Sequence, residues 1–192
     1  MSSGRIIAAG LVGGLVMFFW GAAAHMVLQL DRVAIRGLPG EELIMPALRY
    51  SLSERGVYVF PGWPEGKLSE EEEAVLVEKH RVGPRGMLIY NPEGGEMMTT
   101  SQLGTEFLSN VLAALFVAIL LSRVDSLTLR AIYSTMIGLV AWLSIDVSYW
   151  NWYGFTGGFA AASFIEQTVG WFLVGLAIAL VLGRKKVEKA GT

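Results

Sequence analysis

The chain has 192 residues, of which 53% are hydrophobic and 17% are charged, with 23 glycines, no cysteine and a net charge of −2. A soluble globular chain carries about 25% charged residues, so this composition and the positive mean hydropathy indicate segments that lie in lipid. The lack of cysteine excludes disulfide frameworks and zinc–thiolate sites. A slightly acidic chain without a basic block is also poorly suited to nucleic acid, and we expect no such partner.

Four segments are apolar over the roughly 20 residues that a helix needs to cross a bilayer. They run from Ile6 to about Leu28, from Leu103 to Leu121, from Ala131 to Val147 and from about Ala160 to Leu182. Short loops, 122–130 and 148–159, follow the second and third segments. We therefore predict a membrane all-α fold of four transmembrane helices, with the lipid bilayer as its first partner.

A polar stretch of 73 residues, 29–101, separates the first two segments and predicts a small α+β domain. This divides the chain into residues 1–28, 29–101 and 102–192. The expected elements of the domain alternate between helix and strand: Pro39 to about Ser53, Gly56–Phe60, Ser69 to about Arg81, and Gly86–Tyr90. Ser69 and Glu72 have the spacing of a capping box. Because apolar residues are few, we expect this domain to bury surface against the helices or a partner.

Basic residues near the helix ends predict the orientation. Arg5 precedes the first helix, Arg123 and Arg130 lie between the second and third, and the fourth is followed by Arg184, Lys185, Lys186 and Lys189. The loop between the third and fourth helices has no Lys or Arg. Residues 29–101 contain eight, but stretches above about 60 residues translocate regardless of charge. We predict a bacterial inner-membrane protein with cytoplasmic N- and C-termini and residues 29–101 outside the cytoplasm.

The few ionisable residues within the helices fall at one predicted depth. Glu106, Asp146 and Glu166 each lie sixteen residues from the expected cytoplasmic end of their helix, about 24 Å at 1.5 Å per residue. His25 lies slightly farther out, and Asn110 is one turn below Glu106. Charged groups in a bilayer usually face a protein interior, so we expect Glu106 and Asp146 to point into the bundle. By depth, their nearest partners are Asn110, Gln167 and His25.

Several hypotheses fit this level. One is a structural polar layer that fixes helix order through hydrogen bonds among His25, Glu106, Asn110, Asp146, Glu166 and Gln167. A second is a Zn, Mn or Fe site with the ligands His25, Glu106, Asp146 and Glu166. A third is a proton or solute path, although few polar residues continue it inward. A fourth is a tetrapyrrole on His25, since only small residues precede the imidazole. We favour the structural layer and therefore predict no cofactor.

Two further patterns concern helix packing and the membrane interface. Gly10, Gly14 and Gly21 share one helical face, and Gly10 and Gly14 have the spacing of a close-packing motif. They predict contact with another helix. The aromatic residues Tyr149, Trp150, Trp152 and Tyr153 predict an interfacial belt, with a recognition surface as the alternative.

Five strings in the chain are familiar as a set: FFWG followed by His25, YVFPG at Tyr58–Gly62, GPRGMLIYNPEG at Gly83–Gly94, EFLSN at Glu106–Asn110, and DVSYWNWYGF at Asp146–Phe155. Together they resemble an uncharacterised family of bacterial four-span inner-membrane proteins, over nearly the whole chain. The resemblance implies an architecture and a compartment, and no activity.

No nucleophile elbow, phosphate-binding loop, dinucleotide fingerprint or zinc-protease motif occurs in the chain. We therefore expect a non-enzymatic accessory, scaffold or partner-recognition subunit that associates with other membrane-protein subunits. The alternatives are a metal- or cofactor-binding membrane protein, which would include an enzyme, and a small transporter.

Overall fold

A computed structural model describes residues 2–64 and 66–183. Four of its helices are long and apolar enough to cross a membrane: Ser3–Val27, Thr100–Leu121, Leu127–Tyr153 and Gly157–Leu182, here called spans 1 to 4. The predicted four-helix architecture is confirmed at this level. The basic residues Arg184, Lys185, Lys186 and Lys189 lie outside the described residues.

The described chain separates into two compact units, residues 37–96 and the remainder. The remainder is here called the four-helix unit. It includes residues on both sides that were predicted to belong to the inserted domain, for two reasons. A short helix, Asp31–Ala34, packs against span 4, and Thr99 caps the start of span 2 by accepting a hydrogen bond from the Gln102 backbone. Residues 29–36 and 97–101 therefore belong with the helices.

The spans are arranged in the order 2–1–4–3, because span 1 packs against spans 2 and 4, and span 4 also packs against span 3. Spans 2 and 3 have few contacts, although only Ser122–Ser126 separates them in the chain. We call the end of the unit that holds Ser3, this loop and Gly183 the terminal end, and the other end the insertion end. Most of the buried core lies toward the terminal end: Ala9, Ala114, Val117, Ala118, Leu121, Val174, Ile178 and Leu182.

Two spans contain a π-helical turn, where the sequence predicts continuous α-helix. Span 1 changes from α-helix (Ser3–Ala22) to a π turn at Ala23–Val27, and span 3 changes from α-helix (Leu127–Ala141) to a π turn at Trp142–Asp146. Such a turn adds a residue to the helix and rotates the side chains that follow it. One turn contains His25 and the other ends at Asp146, so both alter the direction of residues at the predicted polar level.

Span 3 also extends farther than predicted. The expected loop from Ser148 is instead a helix, Val147–Tyr153, which ends at Gly154 with a left-handed φ of 76°. Thr156 then caps span 4 by accepting from the Phe159 backbone N–H at 3.1 Å. Hydropathy placed the end of span 3 too early because aromatic and polar residues lower the apolar score without interrupting the helix.

The unit of residues 37–96 contains helices Glu41–Ser51 and Glu70–Val82 and strands Gly56–Phe60 and Gly86–Tyr90. This is the predicted helix–strand–helix–strand order. The strands are antiparallel, with Gly56 opposite Tyr90 and Phe60 opposite Gly86. Helix Glu70–Val82 begins with the predicted capping box, in which Ser69 and Glu72 bond reciprocally. Among its described residues only Tyr90 is buried.

Candidate functional site

Span 4 receives hydrogen bonds from the helices on both of its sides. The indole N–H of Trp20 in span 1 donates to the Glu166 carbonyl at 3.0 Å, and that of Trp142 in span 3 donates to the Ala160 carbonyl at 2.8 Å. The Ser134 hydroxyl donates to the Trp171 carbonyl at 2.6 Å. A helix carbonyl has a second lone pair free for such a bond. In an apolar surrounding these bonds fix the depth of one helix against the next.

Glycines bring the backbones close enough for these bonds. A Cβ added at Gly175 would lie 2.5 Å from the Ser134 Cβ, and one at Gly138 would lie 2.5 Å from the Gln167 carbonyl oxygen. On the other side of span 4, a Cβ at Gly170 would lie 2.7 Å from the Trp20 ring. Only glycine permits these approaches, so the contacts with spans 1 and 3 depend on the lack of a side chain.

His25 and Glu166 form the pair of ionisable groups that joins spans 1 and 4. Their side chains are 3.1 Å apart, Nε2 to Oε1, and are 52% and 31% exposed. The π turn at Ala23–Val27 presents the imidazole, and span 4 presents the carboxylate one residue before Gln167. The sequence placed His25 and Glu166 at neighbouring depths, and the structure brings them into contact.

The Asp146 carboxylate lies near the Ser163 hydroxyl, which is one helical turn from Glu166 on span 4. Both π turns therefore direct a polar residue to the same stretch of span 4, from opposite sides. Ser163 was absent from the predicted layer. A serine one turn before Glu166 was the available signal, but the order of the helices was needed to interpret it.

Glu106 and Asn110 lie apart from these two contacts. The Asn110 side-chain amide donates to Glu106 Oε1 at 3.0 Å within span 2, and Glu106 is exposed. The sequence predicts that Glu106 points into the bundle and reaches another span. It does not, because spans 2 and 3 have few contacts and the buried core lies toward the terminal end. Gln167 is half-buried, and its backbone carbonyl lies against Gly138.

The four predicted metal ligands do not meet at one point. Within residues 2–64 and 66–183, no three His, Asp or Glu side chains are grouped closely enough to hold a metal ion. His25 and Glu166 form one pair, whereas Asp146 lies near Ser163 and Glu106 is bonded to Asn110. Zn, Mn or Fe in this site, and a tetrapyrrole on His25, stay hypotheses from the sequence. The observed arrangement is suited to joining helices.

The glycines of span 1 differ among themselves. A Cβ at Gly14 would lie 2.5 Å from the Val111 Cα, and one at Gly10 would lie 2.8 Å from the Leu115 Cα, so both face span 2. Gly21 was expected on the same contact, yet no atom lies within 4 Å of a Cβ added there. Because most of the core lies toward the terminal end, Gly21, near the insertion end, is beyond the close contact with span 2.

Arg130 has a role that its sequence position does not reveal. Its side chain is fully buried at the terminal end, and its guanidinium donates to the carbonyls of Leu121, Val124, Ala179 and Gly183 at 3.2, 2.8, 3.4 and 2.7 Å. These carbonyls lie at or just beyond the C-terminal ends of spans 2 and 4, where backbone acceptors lack helical partners and a cation is favoured. Arg5 adds a bond of 2.8 Å to the Val181 carbonyl. In the sequence both arginines indicate only the orientation of the helices.

The aromatic residues of the predicted belt lie on the helix Val147–Tyr153. Tyr149 packs against Tyr153 and Phe155, with ring centroids 5.9 and 5.3 Å apart. Trp150 and Trp152 are exposed. This leaves two indoles free to meet lipid headgroups or a partner, so the belt and the recognition surface remain alternatives.

Comparisons with protein-family models, with curated proteins and with solved structures gave no match for this chain.

Proposed function

We propose that this chain is a non-catalytic accessory or partner-recognition subunit of a larger assembly in the bacterial inner membrane. In this proposal both termini are cytoplasmic and residues 29–101 lie outside the cytoplasm. The polar contacts around span 4 have a structural role, and the remaining surfaces bind partners. The metal-binding and transporter alternatives have no comparable geometric support among the described residues.

The observation that carries the proposal is the small buried core of the unit of residues 37–96. A domain of about 60 residues normally buries about 60% of the surface that its unfolded chain exposes. Here Tyr90 alone among the described residues of this unit is buried. Large apolar side chains remain exposed on both strands, on helix Glu70–Val82 and in the segment after the first strand, among them Val57, Ile89, Trp63, Val77 and Val82. Such an apolar surface is typical of an interaction site.

A shallow groove, largely open to solvent, lies in this surface. It has a volume of about 730 Å³ and lies between helix Glu70–Val82 and the turns that follow Phe60 and precede Gly86. Its lining is mainly apolar, with Phe60, Pro61, Ala74, Val75, Val82 and Pro84, and Glu78 and Lys79 provide charge. An apolar groove with a few polar groups is suited to binding a side chain or short segment of another protein.

The proposal is tested by purifying the chain from its native membrane in mild detergent, followed by native mass spectrometry and metal analysis. We expect other polypeptides in a fixed stoichiometry with this chain. A chain that is consistently isolated alone would overturn the subunit role. A stoichiometric metal or a visible chromophore would instead support the cofactor-binding alternative.

The orientation has its own test, which the absence of native cysteine makes simple. We expect Gly94→Cys to react in intact cells with a membrane-impermeant thiol reagent, and Ser2→Cys to react only after permeabilisation. Both positions are exposed, and a Cβ at Gly94 meets no atom within 4 Å. The reverse pattern would invert the proposed topology and leave the helix packing unaffected.

A further inference from the structure

One face of span 2 changes from buried to exposed along its length. Leu121 and Val117, near the terminal end, are 2% and 5% exposed. Asn110, two turns farther along the same face, is half-buried, and Glu106 is exposed. The part of this face near the terminal end is therefore covered by the rest of the chain, whereas the part near the insertion end is exposed.

The open part is polar at a depth where lipid offers no hydrogen bonds. Glu106 is six residues from Thr100, about 9 Å into a helix of about 33 Å, and Asn110 is eleven residues from Leu121, near the middle. The Asn110 amide donates to Glu106 Oε1. This bond ties the carboxylate to a group one turn deeper in the membrane, away from the interfacial water. A carboxylate and a carboxamide exposed to hydrocarbon are costly unless a protein group covers them.

The described chain has no basic group that meets this carboxylate. His25 contacts Glu166, and Arg5 and Arg130 bond to carbonyls at the terminal end. Asn110 uses one amide hydrogen on Glu106, which leaves its second hydrogen and its oxygen for other partners. Leu103 and Phe107, on either side, are 42% and 37% exposed and supply an apolar border.

We propose that this face of span 2, formed by Leu103, Glu106, Phe107 and Asn110, binds a transmembrane helix of another protein that carries a Lys, Arg or His at the depth of Glu106. Charge complementarity favours this occupant over a second copy of the chain. A second copy in the same orientation would place another carboxylate at the same depth, and like charges repel. The inference rests on the proposed subunit role and names the surface and the chemistry of the partner.

The experiment uses the full chain with Ser2→Cys carrying a donor fluorophore, in lipid bicelles. The partners are acceptor-labelled, leucine-rich peptides of 21 residues. The test peptide has Lys six residues from one end, and the control peptide has Leu at that position. We expect energy transfer to show at least tenfold tighter association with the Lys peptide. Glu106→Gln should reduce that preference to within about twofold, whereas the matched change Glu166→Gln should keep it.

Three outcomes would overturn the proposal. They are equal association with both peptides, a preference that survives Glu106→Gln, and a preference that Glu166→Gln abolishes equally. Energy transfer between donor- and acceptor-labelled copies of the chain, lost in Glu106→Gln, would assign the face to self-association instead. Circular dichroism checks that both variants fold.

The proposed binding surface and the proposed subunit role can be contradicted independently. If the native chain is isolated alone while the Lys peptide still binds through Glu106, the subunit role is wrong and the surface stands. If other subunits co-purify equally well with Glu106→Gln, the subunit role stands and this surface is wrong.

Discussion

In the four-helix unit, side-chain hydrogen bonds join residues as distant in sequence as Arg5 and Val181, or Trp20 and Glu166. In residues 37–96, each side-chain hydrogen bond among the described residues joins positions no more than four apart, as between Ser69 and Glu72 or Arg81 and Glu78. The four-helix unit is fixed by side-chain bonds between elements, whereas in residues 37–96 the side-chain bonds are local and the backbone pairing of the two strands joins elements. A unit held together locally keeps its surface free, which suits binding, whereas one held together across helices suits a rigid support.

The largest loss of stability is expected from a change at Arg130, which tests whether contacts between elements fix the four-helix unit. Arg130→Met keeps much of the side-chain volume but leaves four carbonyls without their guanidinium donor. Removing the donor from several buried acceptors costs about 3 kcal/mol or more, because each unsatisfied acceptor costs about 1–3 kcal/mol. We expect a loss of that size in the free energy of unfolding, measured by denaturant titration in mixed micelles. Arg123→Met is the control, because Arg123 is exposed in the adjacent loop. Equal losses in the two variants would contradict the bracing role of Arg130.

Next in size is the contact between spans 1 and 2. Gly14→Ala would place a Cβ 2.5 Å from the Val111 Cα, whereas Gly21→Ala meets no atom within 4 Å. Both changes gain helix propensity, so their difference isolates the contact. Overpacking costs about 1–3 kcal/mol, and we expect Gly14→Ala to be less stable than Gly21→Ala by that amount. Thermal unfolding in detergent measures it, and identical melting temperatures would show that spans 1 and 2 separate easily.

A smaller effect is expected where an indole meets span 4. Trp142→Phe keeps an aromatic ring beside Phe164 and removes the N–H that donates to the Ala160 carbonyl. The net value of such a bond is about 1 kcal/mol. We expect a loss of that order in the free energy of unfolding, with little change for the exposed Trp150→Phe. No difference between the two variants would mean that this bond adds nothing to the packing of spans 3 and 4.

The smallest effect concerns pH and the unit of residues 37–96. The backbone N–H and hydroxyl of Ser69 lower the pKa of the Glu72 carboxyl. A lowered folded pKa means that the stabilisation is present above the ordinary glutamate pKa and is lost as pH falls through the folded one. An ordinary glutamate has a pKa of about 4.3. We expect the pH-dependent shift of the Ser69 amide resonance to have its midpoint below that value. Glu72→Gln should remove this titration; its persistence would assign it to another group.

The sequence was informative where a feature is local. Hydropathy located the four spans, the serine–glutamate spacing predicted the start of helix Glu70–Val82, and turn residues bounded both strands. Features that depend on which helices are neighbours were missed. Depth counting placed Glu106 and Glu166 at one level, but only helix order shows that His25 reaches Glu166 and that Glu106 remains exposed.

Two further misses have physical reasons. The π turns at Ala23–Val27 and Trp142–Asp146 contain no proline or glycine that would mark them in the sequence. Arg130 resembles any basic residue near a helix end until the carbonyls around it are known. The available sign was the position of Arg130, four residues after the helix-capping Ser126. This spacing places the start of the Arg130 side chain inside the helix.

The bonds to span 4 have a consequence for biosynthesis. Arg130 leaves the ribosome 53 residues before Gly183, and Trp20 leaves 146 residues before Glu166. At about 5–20 residues per second, Arg130 waits about 3–10 s for its last acceptor. During that time the first three helices hold donors that only the fourth can satisfy. A chain interrupted before span 4 would therefore lack the carbonyls that accept from Trp20 and from one nitrogen of Arg130, and we expect the cell's quality-control proteases to recognise it as incomplete.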